Sequence, residues 1–260
     1  MELDPFNVTE AKASKHKDYV DQLWVRGGFP DSFLERSDAA SLEWREDFIR
    51  TYLKRDLPDL GRNLPAELVY RLWRMLALDQ GSKLDLTKLA GNLSISTTTV
   101  RNYLDTLTDL FLVRQLKAWH GNTKKRLVKI PKVYVRDSGI LHALVGIKDY
   151  NDLSSHPLYG MSWEGFVIEQ ILQRMPYRTE ATFYGSSAGA EIDLVLETPS
   201  KGVYAIEIKR TVSPKISKGF RLACDEIKPK QRFYVIPTKE SYPMDKETLA
   251  IGVEELIALL

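Results

Sequence analysis

The sequence predicts an α+β protein made of a helical N-terminal segment, a helix-rich middle region ending in a hairpin, and an α/β C-terminal domain. Three observations carry this. Apolar residues recur at helical spacing in segments as far as residue 111. Two apolar runs then flank a loop at Gly121-Asn122. From residue 181 onward, short strand-like runs are interleaved with helical ones. The expected boundaries are 1–62, 63–150 and 157–260. A chain of 260 residues has room for about two domains. With 43% apolar and 28% charged residues, it has enough apolar material for a core and is not a disordered polar chain.

Composition also narrows the function. A net charge of +2 does not announce a nucleic-acid binder, so any such activity must come from local charge. Cys224 is the one cysteine, which rules out an internal disulfide and suits a reducing, cytoplasmic location. No apolar run approaches the roughly 20 residues a membrane helix needs, so no membrane partner is expected. The first ten residues lack the basic segment and apolar core of a signal peptide. Gly27-Gly28 reads as a turn, because no G-x-x-x-x-G-K-[ST] occurs and no ATP site is expected.

In the first segment, apolar residues at 42, 44, 48, 49, 52 and 53 form a largely helical stripe, punctuated by Pro58 and Gly61. The middle region holds three stripes. Leu68, Val69, Leu72, Trp73, Leu76 and Ala77 make one. Leu86, Leu89, Ala90 and Leu93 make a short second. Ser96 then caps a third helix carrying Val100, Tyr103, Leu104, Leu107, Leu110 and Phe111. Two short helices about a tight turn resemble a helix-turn-helix. The runs Leu112–Trp119 and Leu127–Val135 add a hairpin, giving a winged helix-turn-helix. A generic helical bundle with an attached hairpin is the alternative. Between Leu110 and Arg136 there are eight Lys or Arg residues and no Asp or Glu. Thr98 and Arg101 on the third helix suit entry into a DNA groove. Lys124, Lys125 and Arg126 would neutralise phosphates beside it. A basic hairpin meeting an acidic protein is the competing reading.

The C-terminal region reads as a helix at 161–174, strands at Ala181–Tyr184, Glu191–Glu197 and Val203–Lys209, a helix at Ser213–Asp225, a strand at Arg232–Ile236 and a helix at Val253–Leu260. At about 100° per residue, Glu164 falls inside the apolar sector of its helix and Glu169 nearly opposite it. Glu164 is therefore expected to be buried and Glu169 solvated. Strand alternation sets Asp193 apart from Ile192 and Leu194, and sets Glu207 and Lys209 apart from Ile206 and Ile208. Glu164, Asp193 and Glu207 are candidate catalytic residues and ligands for Mg²⁺ or Mn²⁺, with Lys209 at the edge of the site. Together they suit phosphodiester hydrolysis. Carboxylates so close repel, so neutralising one is expected to relieve the metal-free protein. The basic stretch Lys209–Arg232 is either a backbone-binding face or a solvated one.

The set Glu164, Asp193 and Glu207-x-Lys209 resembles the PD-(D/E)XK nuclease-like fold, although Ile192 stands where the family name has proline. The segments L-W-V-R-G-G-F-P-D-S-F, W-R-E-D-F-I-R-T-Y-L-K-R-D, P-K-V-Y-V-R-D-S-G-I-L-H-A-L and S-W-E-G-F-V-I-E-Q-I resemble the C-terminal region of a large prokaryotic AAA+-type ATPase family. That resemblance covers nearly the whole chain. It implies a winged helix followed by the nuclease-like domain, with a P-loop ATPase domain as partner. The first ten residues resemble the end of such an ATPase domain. Two functions are expected in competition: a Mg-dependent endonuclease, or a non-catalytic regulatory or DNA- or protein-binding module of an ATPase.

Overall fold

A computed structural model of the chain describes residues 5–13, 18–59, 64–121, 127–176, 178–199 and 202–260. Gly61, Asn122, Lys124, Lys125 and Arg126, named above, lie outside the described residues, as do residues 1–4. The chain forms two compact units. One comprises Met1–Gln115 and Val133–Phe166, the other Leu116–Lys132 and Val167–Leu260.

The first unit is helical. Its helices are α1 (Val8–Lys12), α2 (Tyr19–Arg26), α3 (Pro30–Phe33), α4 (Asp38–Thr51), α5 (Leu57–Asp59), α6 (Ala66–Leu78), α7 (Leu86–Leu93), α8 (Thr97–Asp109), α9 (Ser138–Val145) and α10 (Tyr150–Ser155). A π-helical turn, Tyr52–Asp56, continues α4. The α6, α7 and α8 stripes close on one core that includes Val69, Trp73, Leu76, Leu89, Leu93, Val100, Leu104 and Leu107. Ser96 caps α8 as expected, its Oγ accepting the Thr99 N–H at 3.0 Å. The stripe on α4 reads differently in three dimensions. Its most buried line is Ser41, Arg45 and Ile49, while Trp44 and Phe48 stay half-exposed and stack on each other. Arg45 is enclosed because Nη1 donates to the Val25 and Gly139 carbonyls (3.2 and 2.9 Å) and Nε to the Ser41 carbonyl (3.1 Å). An apolar-periodicity reading cannot see a buried face made of hydrogen-bonded polar groups such as the Arg45 Nε and Nη1.

The segments R-G-G-F and R-D-S-G interlock in this unit. Asp137 caps α9 by accepting the Ile140 N–H at 2.8 Å, and it also accepts the Gly28 N–H at 2.7 Å. Gly27 has φ +81°, and a Cβ there would lie 2.2 Å from Asp137 Oδ1. Glycine is needed at this turn for both reasons.

α11 (Tyr159–Leu172) follows, and the remaining elements are β1 (Val113–Ala118), β2 (Lys132–Val135), β3 (Glu180–Gly185), β4 (Glu191–Thr198), β5 (Gly202–Ile208), α12 (Lys218–Ile227), β6 (Gln231–Val235), β7 (Tyr242–Pro243), β8 (Thr248–Ile251) and α13 (Val253–Leu259). The strands form one mixed sheet in the order β2-β1-β3-β4-β5-β6-β8-β7. β3, β4 and β5 are antiparallel, while β5, β6 and β8 run parallel. β2 adjoins β1 in the sheet order, as a hairpin requires. The other edge of β1 is used as well, pairing parallel with β3 at Lys117↔Thr182 and Ala118↔Phe183. Pairing satisfies an edge whose N–H and C=O groups would otherwise be left open. On one face of the C-terminal sheet, Val195, Ala205 and Tyr234 pack against Phe220, Ala223 and Cys224 of α12. Among the described residues, no helix is long and apolar enough to cross a membrane.

Candidate functional site

β4 and β5 pair as far as Leu194↔Ile206. One step further the same register sets Asp193 opposite Glu207. There the ladder opens, and the Asp193 side chain takes over from the backbone. Its Oδ2 accepts the Ile208 N–H at 2.8 Å. Lys209 Nζ lies 2.9 Å from Glu207 Oε1 and 3.4 Å from Asp193 Oδ2. Both carboxylate side chains are buried, while the lysine side chain is 41% exposed. The period-2 pleat accounts for this grouping, since residues 193, 207 and 209 share one face. The ammonium group offsets part of the charge of two adjacent buried carboxylates, and the lysine side chain stays partly exposed.

β6 adds a residue that the sequence did not flag. Tyr234 stands beside Glu207 in the β5–β6 register. Its hydroxyl accepts the N–H of Ser217, the N-cap of α12, at 3.0 Å. Burial raises the Tyr234 phenol pKa, and the Glu207 charge pushes it the same way, so the ring stays a neutral polar group. Alternation in R-F-Y-V could place Tyr234 on one face of its strand. Only the parallel β5–β6 pairing, which spans α12, reveals its neighbours.

The basic stretch Lys209–Arg232 is partly neutralised by its own unit. Arg232 bridges Glu247 at 2.7 Å and Asp225 at 3.9 Å, and Arg221 approaches Asp245 at 3.8 Å. Lys215, Lys218, Lys228 and Lys230 are exposed.

Glu164 belongs to the first unit and is buried, at 6% exposure. Its Oε1 accepts the Tyr134 hydroxyl at 2.6 Å. This bond joins the V-Y-V-R-D and S-W-E-G-F segments and gives the inward carboxylate a neutral partner. Glu169 departs from expectation, being 3% exposed rather than solvated. Every residue from Ser162 to Ile171 is buried, so this stretch of α11 has no solvent face. A helical wheel sorts residues only on a helix that has one. Among the described residues, no group of three or more His, Cys, Asp or Glu is placed to hold a metal ion. Thr98 and Arg101 are both exposed on α8.

Comparison with known proteins gives this architecture relatives. The model of a domain of unknown function, DUF8612, matches residues 17–151. That of a second domain of unknown function, DUF4143, matches residues 159–256. Two curated relatives are each 40% identical over 269 aligned positions: "Uncharacterized protein Mb2031c" of Mycobacterium bovis and "Uncharacterized protein Rv2008c" of Mycobacterium tuberculosis. Each alignment takes in 100% of this chain, which spans 60% of the length of these relatives. No solved structure matches. Because the first match alone takes in more than half of its 260 residues, the chain belongs to the DUF8612 family and carries a DUF4143 domain in its C-terminal part.

Proposed function

We propose that the C-terminal unit is a metal-dependent nuclease-like module acting on a phosphodiester. The observation that carries this reading is the Asp193–Lys209–Glu207 cluster, in which two carboxylates share one ammonium on a single sheet face. The donor set fits a hard divalent cation. Mg²⁺ is commonly held by one or two carboxylates together with water and substrate phosphate. Asp193 and Glu207 would hold it. When bound, Mg²⁺ or Mn²⁺ would supply Lewis acidity toward a phosphoryl oxygen and a more acidic water. The chain's own residues do the rest. The Ile208 N–H fixes the Asp193 carboxylate. Lys209, with its partly exposed side chain, offsets charge that develops on a phosphate. The proposal rests on these three residues, which one unit holds together.

The first unit is assigned a DNA-binding role through the exposed Thr98 and Arg101 on α8. The relatives are longer than this chain, and a P-loop ATPase domain, which the family resemblance implies, is proposed as its partner. A second reading, a non-catalytic regulatory or binding module of such an ATPase, is favoured by one feature. Lys209 already bridges the carboxylates, so half of their formal charge is offset without any ligand.

The test is titration of Mg²⁺ and Mn²⁺ by calorimetry, with cleavage assays on single- and double-stranded DNA and RNA. Wild type is compared with Asp193→Ala. The nuclease reading expects metal binding and cleavage in wild type, with both lost in the variant. Neither binding nor cleavage in wild type overturns it. Binding without cleavage calls for the assay to be repeated with the ATPase region supplied, and continued inactivity then favours the regulatory reading.

A further inference from the structure

Helix α8 ends in a Schellman motif. The Leu112 N–H bonds the Leu107 carbonyl and the Phe111 N–H bonds the Thr108 carbonyl, both at 3.0 Å. The residue between Leu110 and Leu112 must then be left-handed, and Phe111 has φ +58°. Glycine is the usual occupant, because a Cβ is strained there. Helix α9 follows that rule, ending at Gly146 with φ +83°. Among the described residues, the other non-glycine positions with positive φ are Ser94, Arg178 and Lys228, all polar. Phe111 is the one aromatic among them, and at 63% exposure its ring gains little from burial. The fold therefore carries backbone strain to hold an aromatic ring outside. The guanidinium of Arg136 sits over that ring, 5.4 Å from its centroid.

We propose that Phe111 and Arg136 form a stacking platform for an unpaired base of single-stranded nucleic acid. The chemistry is specific in kind. Unstacked bases bind on aromatic faces and on arginine planes without regard to sequence. The charge beside the ring in its own unit is basic, since Arg114 and Arg136 belong to the same unit as Phe111 and can offset a backbone phosphate. The platform lies in the first unit and does not involve Asp193 or Glu207. It deepens the nucleic-acid part of the proposed function and is independent of the cleavage part.

Phe111→Gly separates function from folding, because the two effects have opposite signs. Relief of strain should raise the melting temperature by ~2 °C. Loss of the ring should weaken binding of a fluorescein-labelled dT oligonucleotide about tenfold. Phe111→Trp should keep the affinity. Photocrosslinking with a 5-iodouracil oligonucleotide should label Phe111 in wild type, and competition with free dTMP shows whether a lone nucleotide suffices. If Phe111→Gly is stabilised but binds the oligonucleotide as well as wild type does, the platform is overturned and its ring serves a protein contact. Absence of oligonucleotide binding by wild type also overturns it. If Asp193→Ala abolishes cleavage that depends on metal while Phe111→Gly leaves binding intact, the nuclease reading survives and this one fails. If neither wild type nor any variant cleaves but Phe111→Gly loses binding, the reverse holds.

Discussion

Asp193→Asn is the sharpest test of how the cluster is held. Two adjacent carboxylates taken alone would repel, and neutralising one would stabilise the metal-free protein. The structure reverses the expected sign. Lys209 lies within 3.4 Å of both carboxylates, and Asp193 Oδ2 also accepts a buried backbone N–H at 2.8 Å. A hydrogen bond to a charged acceptor is worth ~1.5–3 kcal/mol and one to a neutral acceptor ~0.5–1.5 kcal/mol, so the exchange costs about 1 kcal/mol. The Lys209 contribution is discounted, because its side chain is 41% exposed and screened by water. Urea unfolding without divalent metal at neutral pH should therefore show a lower midpoint at unchanged slope. Equal or greater stability of Asp193→Asn would refute the reasoning and mean that repulsion dominates the site. Lys209→Met supplies the control, since it should destabilise wild type more than it destabilises Asp193→Asn.

Two further predictions concern the first unit. His142 is enclosed with Nδ1 bonded to the Val25 carbonyl at 3.0 Å and Nε2 to Ser162 Oγ at 2.7 Å, and burial lowers its pKa to about 3. The unfolded chain takes up a proton near pH 6.5 that the folded chain refuses. Stability from this residue is thus complete above about 6.5 and falls by ~1.4 kcal/mol per unit as pH drops toward 3. Urea midpoints between pH 4 and 7.5 should show a steeper fall for wild type than for His142→Gln, and parallel curves would exclude the assignment. A glycine pair tests packing. A Cβ on Gly139 would meet the Arg26 carbonyl oxygen at 2.1 Å, so Gly139→Ala should cost about 3 kcal/mol. Gly91, in α7 with nothing within 4 Å, should gain about 0.5–1 kcal/mol as alanine. Thermal melts of both variants check the opposite signs.

The sequence by itself determined whatever depends on neighbours along the chain. The α7 limits and the Ser96 cap follow from local spacing and capping chemistry, and both are found. The same is true of the faces of β4 and β5, because side chains alternate on every strand whatever its partner. Asp193, Glu207 and Lys209 could therefore be placed on a common kind of face before any pairing was known. The short strands β7 and β8 went unseen, because two and four residues carry too little periodicity to register. Tertiary structure alone decided the rest. It buried Glu169 by leaving its stretch of α11 without a solvent side, and it gave Glu164 the Tyr134 hydroxyl as a partner. It carried β1 into the large sheet, brought Tyr234 beside Glu207, and put an ammonium rather than open space between the two carboxylates. Each of these depends on contacts between residues far apart in the chain. A helical wheel or a pleat fixes where a side chain can point, but the element packed against it decides what it meets.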